Sequence, residues 1–251
     1  MLEPEAMGFL DLFGGGKNRL AKHIARAKNK HSQSADRFSS LEVLRDDGSP
    51  EAVVGLLARF TIRYDKSIED EQEKQWVFDE LVRMGGKILP PLQQHLRSAE
   101  SIAWGLKVLH EVASADEAWP ILADLIERND NTYTRDPSKK IQLLHHLGEQ
   151  PDPRAGKALV PYLKDVDEGV RFVVVEGLIR HKDPEAAREA LLEVLINPSE
   201  ESRRIKKRIV DGFADLGWDV KGYSGTVEKM LEDLLPGSRL DNHGKIKRKQ
   251  V

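Results

Sequence analysis

In DPEAAREALLEVLINP, residues 183–198, Ala187, Leu191, Leu192 and Leu195 fall at i, i+4, i+5 and i+8, the spacing of one helix face. Asp183 and Pro184 ahead of them supply an N-cap and a proline at the first helical position. The next stretch, RRIKKRIVDGFADLG, sets Ile205, Ile209, Phe213 and Leu216 on one stripe and stops at Gly217, which predicts a second amphipathic helix. The same pairing of helices is read over 17–47, 49–86, 87–114, 116–149, 152–182 and 183–217, and SGTVEKMLEDLLPG predicts a closing helix.

The pairs also repeat one another. ADRFSSLEVLRDDG at 35–48 matches GVRFVVVEGLIRHK at 169–182, with Arg37, Phe38, Glu42 and Leu44 answered by Arg171, Phe172, Glu176 and Leu178 at an offset of 134. Pro50, Glu51 and Ala52 are answered in the same register by Pro184, Glu185 and Ala186. Shorter offsets relate neighbours: 31 from Asp152 to Asp183, and 35 from Gly177 to Gly212. Two amphipathic helices joined by a turn cannot bury both faces alone, so each unit of roughly 30 to 38 residues must stack on the next. Glycine inside a helix costs about 1 kcal/mol relative to alanine, so Gly177 and Gly212 at matching places are expected where helices approach closely.

DVDEGVRFVVVEGLIRHKDPEA, residues 165–186, resembles a HEAT repeat of the short bacterial type also found in phycobilin lyases. The resemblance covers 152–217 and 35–60, with 61–150 irregular. It implies an all-α fold, a right-handed α-solenoid of about six stacked helix pairs whose second helices line a concave binding surface. It also implies an inter-repeat polar ladder in which Arg171 pairs with Asp167, Lys206 taking the corresponding place in the next unit. The resulting division is a flexible segment at 1–16, the solenoid at 17–235 and a polar, basic tail at 236–251.

Composition agrees with solvated helices: 32% of residues are charged, 39% hydrophobic and only 6% aromatic. With no cysteine, disulfides and thiolate metal sites are excluded. A formal charge of −3 gives no global attraction to nucleic acid or membrane. No apolar run approaches the roughly 18 residues of a membrane span, and the acidic start MLEPEAMGFLDLF lacks the basic region of a secretory signal. A soluble, cytoplasmic protein is expected.

Several motifs fail on inspection. FGGGKN at 13–18 has Asn18 where a phosphate loop needs a hydroxyl, and it is read as a hinge. HEVAS at 110–114 carries Ser114 where a zinc helix needs its second histidine, and His145 and His146 are adjacent, so they point to different sides of a helix. No metal, cofactor or catalytic residue is assigned. Trp76, Trp104, Trp119 and Trp218 lie at helical spacing from leucines and are expected in the core. Two long loops are expected at 64–75 and 128–140, the first being open also to the reading of a solvated helix start.

Two basic segments carry the functional expectation. Lys17, Arg19, Lys22, Arg26, Lys28 and Lys30 form a basic amphipathic helix, read as the solenoid cap, with peripheral contact to an anionic lipid surface or contact with a partner's groove as the alternative. RRIKKR places Arg203, Arg204 and Lys207 on the open side of the second helix, with Lys206 and Arg208 flanking it and Arg171 and Arg180 next to it. Such a patch suits an acidic protein partner; its ordinary counterpart is a surface helix paired with Glu200, Glu201 and Asp211. The chain is expected to be a non-enzymatic protein-binding module or adaptor. Nucleic-acid binding, as in HEAT-like alkylpurine DNA glycosylases, is the alternative, and a bilin lyase relative is the second.

Overall fold

In the computed structural model, which describes residues 11–64 and 67–248, the chain is all-α apart from one short hairpin. Two compact units divide it, residues 1–122 and 123–251. Unit 1 runs through α1 (Asp11–Ala27), α2 (Ser34–Asp47), α3 (Pro50–Leu57), α4 (Ser67–Met84), α5 (Leu89–Ser98) and α6 (Ala103–Val112). The division falls within α7 (Ala115–Arg128). Unit 2 continues with α8 (Ser138–Glu149), α9 (Pro153–Leu159), α10 (Glu168–His181), α11 (Pro184–Ile196), α12 (Arg203–Leu216) and α13 (Ser224–Leu234). It ends with an antiparallel hairpin of β1 (Arg239–Leu240) and β2 (Ile246–Lys247). Every segment read as a helix pair in the sequence holds two α-helices.

Within unit 1, α2 packs on α4 and α4 on α6, while α1, α3 and α5 form a second series. Within unit 2, α10 packs on both α8 and α12, and α9 on α11. Apolar stripes meet between these series, burying Leu41, Leu44, Leu56 and Leu81 in unit 1 and Leu144, Val174, Leu178 and Leu191 in unit 2. Gly148 and Gly177 set the closest approach: a methyl group on Gly148 would lie 2.7 Å from the Gly177 Cα. One on Gly212 would lie 2.5 Å from Ile179 Cδ1, so both glycines read in the sequence stand at helix contacts.

The 134-residue register is kept in three dimensions. α2 and α10 are both 14 residues long and start at Ser34 and Glu168. Each ends on a left-handed residue, Gly48 at φ 60° and Lys182 at φ 56°, and the next helix is capped by Ser49 Oγ or by the Asp183 carboxylate. Lys182 is the only non-glycine with positive φ among the described residues. The turn, not the residue type, is what the repeat preserves there.

Buried ion pairs tie α2 to α4 in unit 1, and α8 and α10 to the segments that follow them in unit 2. In unit 1, Arg37 of α2 is 1% exposed and donates Nε and Nη2 to the two oxygens of Glu73 on α4, at 2.7 and 2.9 Å. Tyr64 donates its hydroxyl to the same carboxylate, and its ring lies 4.2 Å from the Arg37 guanidinium. Asp70 accepts from Arg59 and from Lys74, both at 2.6 Å. Burial pushes the Asp70 pKa up, but the hydrogen bonds from Lys74 and Arg59 outweigh it and leave the group below its ordinary value. In unit 2, Lys140 of α8 meets Asp165 ahead of α10 at 2.7 Å, and Arg171 of α10 meets Glu200 ahead of α12 at 2.7 Å.

Arg171 therefore does not form the ladder with Asp167 that the resemblance implies. Asp167 is the N-cap of α10, its carboxylate accepting from Val170 N at 3.0 Å, while Arg171 reaches forward to Glu200 and to the carbonyls of Asp165 and Val166. The acidic stretch at 64–75 is mostly helix, with Asp70 and Glu73 turned inward rather than solvated. Gly14 to Gly16, read as a hinge, lie inside α1, since glycine weakens a helix without forbidding it. Residues 1–10 of the segment expected to be flexible lie outside the described residues. Part of the expected tail at 236–251 is the hairpin, fixed by buried Ile246 and by Val220 N donating to Gly244 O at 2.8 Å. Among the tryptophans only Trp218 is buried; Trp76 and Trp104 are half-buried, the first packing tilted against Phe38 and the second stacking on Phe60.

Two substitutions test this packing. Gly148→Ala is expected to lose about 1–2 kcal/mol, because overpacking against backbone outweighs the gain in helix propensity, whereas Lys182→Gly is expected to gain about 1 kcal/mol by relieving the left-handed conformation. Denaturant unfolding measures both. Arg37→Met, which leaves the buried Glu73 only the Tyr64 hydroxyl and the Arg59 guanidinium, both at 3.2 Å, should cost about 2–4 kcal/mol, and Arg37→Met combined with Glu73→Leu should recover part of that loss in the same assay.

Candidate functional site

The face of unit 2 formed by α10 and α12 gathers four of the seven basic residues assigned to the expected patch. Ile205, Ile209 and Phe213 are fully buried and anchor α12, so the positions between them turn outward. Ser202 caps the helix, accepting from Ile205 N at 3.2 Å, and donates its hydroxyl to Glu168 at 2.7 Å. The result is a groove of about 390 Å³ lined by Phe172 of α10 and by Arg203, Arg204, Lys207, Arg208 and Asp211 of α12.

Each cation in the groove has a carboxylate nearby. The Arg204 guanidinium lies 4.1 Å from the Phe172 ring centroid, a cation–π contact, and pairs with Glu168. Arg208 pairs with Glu176 on the same neighbouring helix, Lys207 with Asp211 at 2.6 Å, and Arg203 with Asp233 of α13 at 3.0 Å. Asp211 also accepts from Arg248, which follows the hairpin. The side chains of Arg203, Arg204 and Lys207 remain 65%, 56% and 50% exposed.

The other three residues of the expected patch lie elsewhere. Arg171 is committed to Glu200 and lines a separate depression with Val166, Glu193 and Asn197. Lys206 is half-buried on the Glu200 side of α12, where its charge acts on that carboxylate. Arg180 is exposed beside Glu149 of α8, at 3.4 Å. Of the partners expected for an ordinary surface helix, Asp211 serves; the main ones, Glu168, Glu176 and Asp233, are missed by a reading confined to one helix. Carrying the match of Phe38 with Phe172 and of Glu42 with Glu176 through to α12 brings out the aromatic floor and one carboxylate.

Hydrogen bonding from Ser202, with that from Arg204, holds Glu168 below its ordinary carboxylate value against the opposing effect of burial. For Glu200, burial acts upward and is outweighed by the hydrogen bonds from Arg171 and the Ser202 amide, so its pKa is lowered too.

No protein-family model matches the sequence, and neither a curated protein nor a solved structure matches it. Among the described residues, no helix is long and apolar enough to cross a membrane.

Asp70, Glu168 and Glu200 bind protons less readily in the folded chain than their ordinary values of 3.8, 4.5 and 4.5 imply for the unfolded one. Their contribution to stability is present above those values and lost as pH falls through the lower folded-state values. Thermal midpoints are therefore expected to be level on this account above about pH 5.5 and to drop as the pH falls below about 4.5. Glu200→Gln should flatten part of that drop.

Proposed function

We propose that the chain is a non-catalytic binding module, a HEAT-like α-solenoid whose α10 and α12 face takes an acidic protein partner. The serial packing of alternate helices within each unit, and the repeated helix, cap and turn at an offset of 134, support the solenoid reading. The observation that carries the binding assignment is the groove with Arg203, Arg204, Lys207 and Arg208 around Phe172. Exposed ion pairs contribute little, about 0–1 kcal/mol each, so a partner carboxylate can replace Glu168 or Asp211 at small cost while desolvating the guanidinium over its ring. Glu168, Glu176, Asp211 and Asp233 border these cations and repel a continuous phosphate backbone, which favours a protein with discrete carboxylates over nucleic acid.

Charge reversal by Arg204→Glu with Lys207→Glu is expected to weaken partner capture from the protein's own cell lysate by at least tenfold, with stability changed by no more than about 1 kcal/mol. Captured protein that survives nuclease and is released by salt supports the assignment. Unchanged capture by the double variant, or capture abolished by nuclease, overturns it.

A further inference from the structure

A second basic surface lies in unit 1, on α1, and there nothing in the fold answers the charge. Arg19, Lys22 and Arg26 stand at i, i+3 and i+7, one line along the helix. Lys28 and Lys30 follow past the helix end, where Lys28 N donates to Ile24 O and Asn29 N to Arg26 O, both at 3.1 Å, so the backbone stays coiled. Arg26 is half-buried and the other four are exposed. Among the described residues none of the five makes an ion pair, whereas each cation of the α12 groove has its carboxylate. No acid occurs in the sequence from Leu12 to Ala35.

The apolar side of α1 is already taken. Ala27 is fully buried, and a methyl group on Gly55 of α3 would lie 2.7 Å from Ile24 Cγ1, so the stripe packs on α2 and α3. Between the cations the outward side carries exposed Ala21 and Ala25, and from residue 19 onward no large apolar or aromatic side chain of α1 is exposed. A helix that inserts into a bilayer needs its apolar face free, and one that stacks unpaired bases needs aromatic rings; the described part of α1 offers neither. The helices packed on it carry exposed Asp36, Asp46, Asp47 and Glu51, which confine the basic charge to a strip along α1. Burial lowers the His23 pKa, and Arg19, Arg26 and Lys22 lower it further, so the field of these cations is not cancelled within the fold.

We infer that the outward strip of α1 binds double-stranded DNA through its phosphate backbone, without regard to base sequence. A run of cations with no carboxylate between them suits a continuous polyanion, as the α12 run, faced by Glu168 and Glu176, does not. Arg19 to Arg26 covers about 10 Å of helix axis, which faces about three phosphates of one strand, and Lys28 and Lys30 reach beyond them. The major groove of B-form DNA is wide enough for a helix face reduced to alanine between its cations, and that of an RNA duplex is not. A formal charge of −3 over the whole chain leaves this local attraction in place, because acids more than about 10 Å from the strip are screened at about 0.1 M salt.

The test uses the full chain and a fluorescein-labelled DNA duplex of about 16 base pairs, followed by anisotropy. Saturable binding is expected at about 50 mM salt and about a hundredfold weaker binding at about 200 mM, the loss for about four neutralised phosphates. A duplex of unrelated sequence should bind equally, and an RNA duplex of the same length at least threefold more weakly, by about that margin. Arg19→Gln with Lys22→Gln and Arg26→Gln should weaken DNA binding by about tenfold or more and flatten its salt dependence, at unchanged thermal midpoint. Lys157→Gln with Lys164→Gln and Lys229→Gln removes the same charge from exposed positions in unit 2 and should change binding by no more than about twofold. The same holds for Arg204→Glu with Lys207→Glu, which separates this surface from the α12 groove. Absence of saturation up to about 0.1 mM, equal loss in the charge-matched variant, or equal binding of the RNA duplex overturns the inference. So does tighter binding to vesicles of phosphatidylcholine and phosphatidylserine than to the DNA.

Discussion

Arg37 enters unit 1 with almost none of its surface left to water, and a guanidinium in that position must be met by a carboxylate or the helices cannot close around it. Glu73 meets it from α4, Tyr64 covers it, and Arg59 and Lys74 complete a second charged layer through Asp70. Such a network adds little net stability, because the desolvation of each ion opposes the attraction between them. Its effect is on geometry: sliding α4 along α2 would break the paired hydrogen bonds between Arg37 and Glu73. Lys140 with Asp165 and Arg171 with Glu200 impose the same requirement in unit 2. Helix faces, caps and grooves take their places from that register.

What could be read from the sequence follows from the physics of each element. Amphipathic helices with a capping residue and a terminal glycine declare themselves, so the helix pairs and the all-α class were legible. The ion pairs were not, because Glu73 and Asp70 look like solvent-facing acids until the helix that buries them is known. The hairpin of β1 and β2 was hidden for another reason: two residues per strand are too few to alternate visibly, and the turn at Gly244 with the burial of Ile246 decides it. At the candidate site, the cations of α12 were legible as a run. Their partners were not, since Glu168 and Glu176 stand on another helix more than thirty residues earlier.

The match of α4 with α12 separates the packing side of a repeat from its solvent side. Inward positions of α4 and α12 carry Val77, Leu81, Ile205 and Ile209, all buried. Groove-facing positions at i, i+3 and i+7 carry Glu69, Gln72 and Trp76 in α4 and Arg204, Lys207 and Asp211 in α12, while Glu73 at i+4 turns inward to Arg37. Because side chains on opposite faces of a helix answer to different surroundings, the outer set can change its charge while the inner set keeps the helix where it is.

The sequence distance between bonded partners has a kinetic side. Arg37 and Glu73 are 36 residues apart, Lys140 and Asp165 are 25, Arg171 and Glu200 are 29, and Tyr162 reaches Asn129 across 33. None of these links spans more than about one helix pair and its neighbour, so the loops closed in forming them are short and their entropic cost is small. A chain wired this way has low contact order and reaches its native contacts quickly, each pair docking as soon as the next has been made during synthesis.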